Sequence, residues 1–289
     1  MRTLRIGLVA LLFCLVVPQA HAQASRTVNR TFDLAAGGTV MLDTYKGRVD
    51  VQTWDRDQAR VQVTIEGEKQ ANVDDTRIRF DSGADRLEIE TDYDELDGNK
   101  TLFGLFTLGS VDRPSTDYTL TVPRAATLAV DTYSAATSVA RLEGPLRFDG
   151  YSASLTVDRL TGALRADTYS GSVEVSRAEG PMEVDTYSGQ LQADSVAGSV
   201  QFSTYSGSAT LGFAALTDDC SFDSYSGDVS VTLPANTGAV VETTEDALET
   251  DLPVRLEQMG DDRIRATIGD GGPRLRSDTY SGTLSVRAR

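Results

Sequence analysis

Most protein chemistry on substrates starts from histidine, cysteine or a metal that they hold, and this chain has little of either. Its 289 residues include one histidine, His21, and two cysteines, Cys14 and Cys220. His21 and Cys14 fall in the first 22 residues, which read as a removable leader, leaving no histidine and a single thiol. Ser-His-Asp and Cys-His nucleophile activation and His/Cys zinc sites each lose a required part. A lone thiol makes no intramolecular disulfide, and Cys220, in an inward slot before Phe222, reads as a small buried hydrophobe. The groups left to do chemistry are carboxylates and phenols, and both recur at a fixed spacing. Tyr133, Tyr151, Tyr169, Tyr187 and Tyr205 each lie 18 residues after the last, with Asp131, Asp149, Asp167 and Asp185 two residues before the first four. Ser203 and Asp223 continue the acidic file, Tyr225 follows Tyr205 after 20 residues, and outlying copies stand at Tyr45 and Tyr280. Paired carboxylates can serve as acid and base. Acids at equivalent positions in successive units are instead a product of repetition, whereas an active site breaks symmetry. The expectation is a protein that is not an enzyme, with no cofactor and no metal centre.

The tyrosine file has two readings. It can zip neighbouring units together, each ring pair adding about 0.5–1.5 kcal/mol, or it can be an amphipathic strip contacting an unknown protein or polysaccharide partner. The acidic file beside it carries a cost, because like charges about 4.8 Å apart repel by about 0.9 kcal/mol even in water. Arg147 and Arg165, two residues before Asp149 and Asp167 on the same face, are the simplest compensation; calcium between units is the other. The Gly-Gly-x-Gly-x-Asp turns of calcium-binding repeats are absent. The stretch from Asp92 to Gly98 has Phe103 where a calcium loop needs its twelfth-position acid. A second arginine file, Arg141, Arg159 and Arg177, marks the other strand. With 27 basic and 43 acidic side chains the net charge is −16, the wrong sign for nucleic acid.

The elements that must carry these files are strands. Within each 18, glycine beats every nine residues at Gly144, Gly162, Gly171, Gly180, Gly189, Gly198 and Gly207, with Ala135 and Ala153 at two further points. Between glycines the pattern alternates with period two: Met182, Val184 and Thr186 face one way, Glu183, Asp185 and Tyr187 the other. Leu146/Phe148, Leu164/Ala166, Leu191/Ala193, Val200/Phe202 and Leu275/Ser277 take the same inward slots. Each 18 is therefore two short strands joined by turns in which glycine accepts positive φ. A meander of hairpins could use such a unit, but recurrence in register favours a β-solenoid, with six to eight coils stacked at strand spacing. A column of small inward residues (Thr132, Gly150, Thr168, Thr186, Thr204, Ser224) should let hydroxyls bond between coils.

The flanks complete the layout. Residues 1–22 have a basic start, an apolar run Ile6–Val17 and Ala20-His21-Ala22 before Gln23, the pattern of a secretory signal peptide cleaved near Ala22. The run is too short for a transmembrane anchor, so a periplasmic or extracellular protein is expected. Residues 23–122 read as a β-rich N-terminal cap and 123–289 as the solenoid repeat domain. Residues 92–113 hold an apolar loop in which Phe103, Leu105 and Phe106 fold back over the first coil or form a contact tip. The variant stretch 235–270 reads as an exit cap.

Trp54-Asp-Arg-Asp followed by alternating valines, Val122-Pro-Arg, the Gly-punctuated strands ending in Ser-Gly, and the closing 269–282 segment carry a resemblance. Over residues 40–289 the chain resembles the domain of unknown function 4097, an adhesin-like β-helix family. The resemblance implies a mainly β, β-helix-like solenoid in an exported protein and carries no catalytic residues. Tyrosine before Ser-Gly departs from the small residue common there in that family. Together the readings point to an exported, non-enzymatic structural or adhesin-like module. The alternative is a glycan- or cell-wall-polymer-binding protein using the Tyr/Asp strip.

Overall fold

The computed structural model describes residues 23–94, 96, 101, 102, 106, 107, 112–260 and 262–289. The leader, Phe103, Leu105 and the side chain of Phe106 lie outside the described residues, and with them the expectations for the leader and the apolar loop.

Alternation of apolar and polar residues builds two long facing sheets, because each 18-residue unit gives one strand to each. Leu146–Gly150 and Leu155–Leu160 form one such coil, and Leu164–Thr168 with Val173–Ala178 forms the next. They pair in parallel and in register, Leu146 with Leu164, Asp149 with Asp167, Leu155 with Val173. The repeats contain no hairpins; the fold is the mainly β solenoid that the period implies. Leu146, Phe148, Leu155, Val157 and Leu160 are buried between the sheets, and the inner coils repeat that filling. After the second inward valine of several coils two successive residues face out, as Asp158 and Arg159 do between buried Val157 and Leu160. That extra residue turns Arg141, Arg159 and Arg177 outward, and the 18-residue spacing lines them up in one file.

Ten strands of each sheet run parallel, so ten coils stack rather than six to eight. The additional coils come from an order that is not serial at either end. Thr39–Thr44 and Gly47–Trp54 form a coil lying between coil 127–142 and an outer coil made of Arg86–Asp92 and Ser115–Pro123. At the opposite end, Arg274–Thr279 and Leu284–Ala288 slot between coil 220–233 and the earlier strands Ala239–Thr244 and Leu248–Thr250. At this second end the chain leaves a gap, builds the outer coil, and returns to fill the gap. Antiparallel strands cover most of the ends: Ala24–Asp33, Gln58–Gly67 and Arg77–Ser82 at one, Val254–Gln258 and Arg263–Ile268 at the other. Such strands blunt edges that would template aggregation. A short helix, Gln70–Asp75, crosses over the N-terminal end with Val73 buried; strand patterns alone did not foretell it.

The repeat glycines correct one expectation. Positive φ occurs only at Gly47, Gly269, Gly271, Gly272 and Asn236 among the described residues, at none of the glycines on the nine-residue grid. They are needed for close approach instead. A Cβ on Gly162 would land on the carbonyl of Gly144, one on Gly180 on that of Gly162, and one on Gly189 on that of Gly171.

Candidate functional site

The Asp-Thr-Tyr-Ser-Gly string folds as one device. Its threonine points inward and its hydroxyl accepts the backbone N–H three residues on: Ala135 to Thr132 at 3.0 Å, Gly189 to Thr186 at 2.7 Å, Gly207 to Thr204 at 2.7 Å and Gly282 to Thr279 at 2.8 Å. Hydroxyls in neighbouring coils also bond to one another, as Thr168 to Thr186 at 3.1 Å. With the threonine fixed inward, the aspartate before it and the tyrosine after it both face out, and stacking turns each into a file.

The tyrosine file has eight members. Tyr45, Tyr133, Tyr151, Tyr169, Tyr187, Tyr205, Tyr225 and Tyr280 stack in that order, with centroids 4.8–5.0 Å apart and planes within 9°. Tyr133 through Tyr225 are each close to half exposed and Tyr280 is 78% exposed. The two outlying copies of the motif are therefore its end members, brought in by the non-serial coils. Since each inner ring is sandwiched, what it offers to solvent is its edge and hydroxyl, not its face.

The acidic file runs parallel: Asp43, Asp131, Asp149, Asp167 and Asp185 align strand to strand, Ser203 interrupts, and Asp223 and Asp278 resume. Arginine compensation operates where the sequence offers it. Arg147 donates to Asp149 at 2.8 Å, and Arg165 reaches Asp167 at 3.3 Å and Glu183 at 2.5 Å. Asp278 is held by both Arg276 and Arg263. Burial, followed by repulsion from neighbouring acids, pushes the carboxyls of Asp43 and Asp131 above their ordinary value. At Asp167 burial and at Asp223 burial with Asp278 do the same against a nearby arginine. At Asp278 burial also pushes up, but the hydrogen bonds from Arg263 and Arg276 outweigh it and the carboxyl lies low. Among the described residues no group of three or more His, Cys, Asp or Glu could hold a metal ion.

Between the two files lies an open trough of about 1310 Å³, floored by Thr44, Thr132, Gly150, Thr168, Thr186, Thr204 and Ser224. Residues 90–94 and Arg113 line one end. There Tyr93 meets Tyr45 edge-on at 6.3 Å, and the Arg113 guanidinium sits 4.5 Å from the Tyr45 ring centre and 5.6 Å from that of Tyr93. Burial pushes the Tyr93 hydroxyl up to about 12. Beneath them Thr44, Thr91, Thr116 and Tyr118 share a buried hydroxyl network, Thr91 to Tyr118 at 2.7 Å. Tyr133 to Tyr205 stack and Asp131 to Asp185 align in register, while Tyr93 and Arg113, which sequence reading does not assign, lie outside the 18-residue period.

The Toastrack DUF4097 signature matches residues 41–287, almost the whole two-sheet stack. The chain belongs to the Toastrack DUF4097 family. This Toastrack chain is similar in structure to a "putative adhesin" from Bacteroides fragilis NCTC 9343, at 12% identity over 91% of this chain and 97% of that one, TM-score 0.48. It is also similar to a "putative lipid binding protein" from Parabacteroides distasonis ATCC 8503, at 14% identity over 90% and 96% of the two chains, TM-score 0.43. A "putative adhesin" from Parabacteroides merdae ATCC 43184 follows, at 10% identity over 92% and 96%, TM-score 0.34. A comparison with curated proteins gives no match. Among the described residues no helix is long and apolar enough to cross a membrane.

Proposed function

We propose that this Toastrack protein is exported and acts as a non-enzymatic adhesive module, holding a glycan or cell-wall polymer lengthwise in the trough. The observation that carries the reading is the trough itself, bounded from Tyr45 to Tyr280 by stacked tyrosines on one side and carboxylates on the other. Seven ring-to-ring intervals at strand spacing make it about 34 Å long. A polymer laid along it meets the same hydroxyl and carboxylate acceptors coil after coil, so weak contacts add through one tethered ligand. Because the ring faces are occupied by one another, sugar hydroxyls are recognised by donating to aspartates and phenols rather than by stacking. Export is supported by the leader pattern of residues 1–22.

Two measurements test this. Protein expressed from the full sequence should be recovered from the periplasm or medium and begin at Gln23; a chain that stays in the cytoplasm with Met1 retained overturns export. In co-sedimentation with purified cell wall, replacing Asp149, Asp167 and Asp185 by asparagine should abolish capture while circular dichroism stays unchanged. Undiminished capture by that folded variant places adhesion elsewhere on the rod.

A further inference from the structure

The cross-section of the trough suits a second kind of ligand. The aspartate and tyrosine of one coil are two residues apart on extended backbone, so the two walls rise about 7 Å from each other. Carbon atoms touch at about 3.5–4.0 Å. A flat body one atomic layer thick can therefore touch both walls at once. The residue between each aspartate and tyrosine turns its side chain inward, or has none at Gly150, so the floor is backbone and such a layer can sink between the walls. The tyrosine wall presents ring edges, and an aromatic edge packs best against the face of another π system. Those edges repeat every 4.8–5.0 Å without a gap from Tyr45 to Tyr280, so the complementary face is a long one lying along the rod axis. The facing wall decides the charge. Arg147, Arg165 and Arg276 sit two residues before Asp149, Asp167 and Asp278, but Met41, Ala129 and Ser221 hold that position before Asp43, Asp131 and Asp223. The acidic wall thus keeps negative charge that its own strands do not neutralise, in a chain of net charge −16.

We infer that the trough is a site for elongated, planar, aromatic cations, bound parallel to the rod axis across several coils. The flat face meets the tyrosine edges, the opposite face meets the carboxylate wall, and the positive charge lies along the acidic file. The inference rests on the reading of the trough as a ligand site and adds a second ligand class beside the polymer.

Thioflavin T, a flat benzothiazolium cation that fluoresces when its rings are held coplanar, is the probe. Titrated into gel-filtered full-length protein, it should give a saturable rise in emission that co-elutes with the soluble protein. Replacing Asp43, Asp131 and Asp223, the acids with no arginine two residues before them, by asparagine should weaken the apparent Kd about threefold, the dye's single positive charge losing its carboxylate partner. Congo red, flat and elongated but anionic, should not bind. Tyr169→Phe with Tyr187→Phe keeps the edges and should retain the response, whereas the corresponding serine pair should lose it. A dark titration, an unchanged Kd in the asparagine variant, or equal uptake of Congo red each overturns the inference. Protein that captures cell wall yet leaves the dye dark overturns this ligand class and leaves the polymer reading intact; protein that lights the dye but ignores cell wall does the reverse.

Discussion

At the scale of single residues, position in the stack outweighs residue type. Gly162 and Gly189 are fixed because the carbonyl of the coil below occupies the space of a side chain, whereas at Gly37 and Gly260 a Cβ would meet nothing within 4 Å. Gly162→Ala should therefore cost about 1–3 kcal/mol, as overpacking does, and Gly260→Ala close to nothing, read as urea midpoints. The carboxyls give a second test. Asp43, Asp131, Asp167 and Asp223 hold their protons more tightly in the folded state than the ordinary value of 3.8. A raised folded pKa contributes stability that is complete below 3.8 and is lost as pH rises through the folded value. Asp278 has the opposite sign: its contribution is present above 3.8 and fades as pH falls through its depressed value. Melting temperature should accordingly rise as pH is lowered from 7 toward the carboxylate range and turn over below 3.8. Asp131→Asn should raise it at pH 7 and flatten the profile. These glycines also mark where sequence reading stops. The nine-residue beat was plain, but its cause was not, because clash with a neighbouring coil depends on how coils stack and φ is not written in a residue's name.

At the scale of the element, the tyrosine ladder is the clearest link between repeat and stability. An inner ring makes two stacking contacts and an end ring one on its stacked side, each pair adding about 0.5–1.5 kcal/mol. Tyr187→Ala should cost roughly twice what Tyr280→Ala does in denaturant titrations, and Tyr187→Phe should cost little. Equal losses at the two positions would mean the stacking adds nothing beyond the area each ring covers. The ladder was legible from Tyr133 to Tyr205 because an unbroken 18-residue period keeps one residue type on one face. Tyr45 and Tyr280 carry the same motif, but residues 55–126 and 235–272 interrupt the period, and spacing along the chain no longer reports neighbours in space. The short helix Gln70–Asp75 and the Tyr93–Arg113 contacts were not legible for the same reason: each depends on what the end of the stack leaves uncovered.

At the scale of the whole molecule, the non-serial coils set how the rod comes apart. Solenoid stability is a sum of coils and nearest-neighbour interfaces, so opening starts where interfaces are fewest. Cys220 reports on that opening, since it is buried beneath Leu275 of the inserted coil and burial pushes its thiol up to about 11. At neutral pH the native thiol should resist maleimide, and labelling should begin at urea concentrations below the loss of overall strand signal, as the end strands 239–268 depart first and coil 274–288, left with one neighbour, follows. Labelling only in step with global unfolding would show that the inserted coil is no weaker than the rest. The same insertion governs how the protein bears force. Leu284–Ala288 is hydrogen-bonded on both flanks, to Val229–Leu233 and to Leu248–Thr250. A pull applied beyond Ala288 runs along that strand, so the bonds of both ladders are loaded together in shear. The outermost hairpin strand Val254–Gln258 is bonded on one side only and unzips bond by bond. In single-molecule pulling the first should rupture at markedly higher force than the second, making the returning coil a mechanical clamp at that end of the stack.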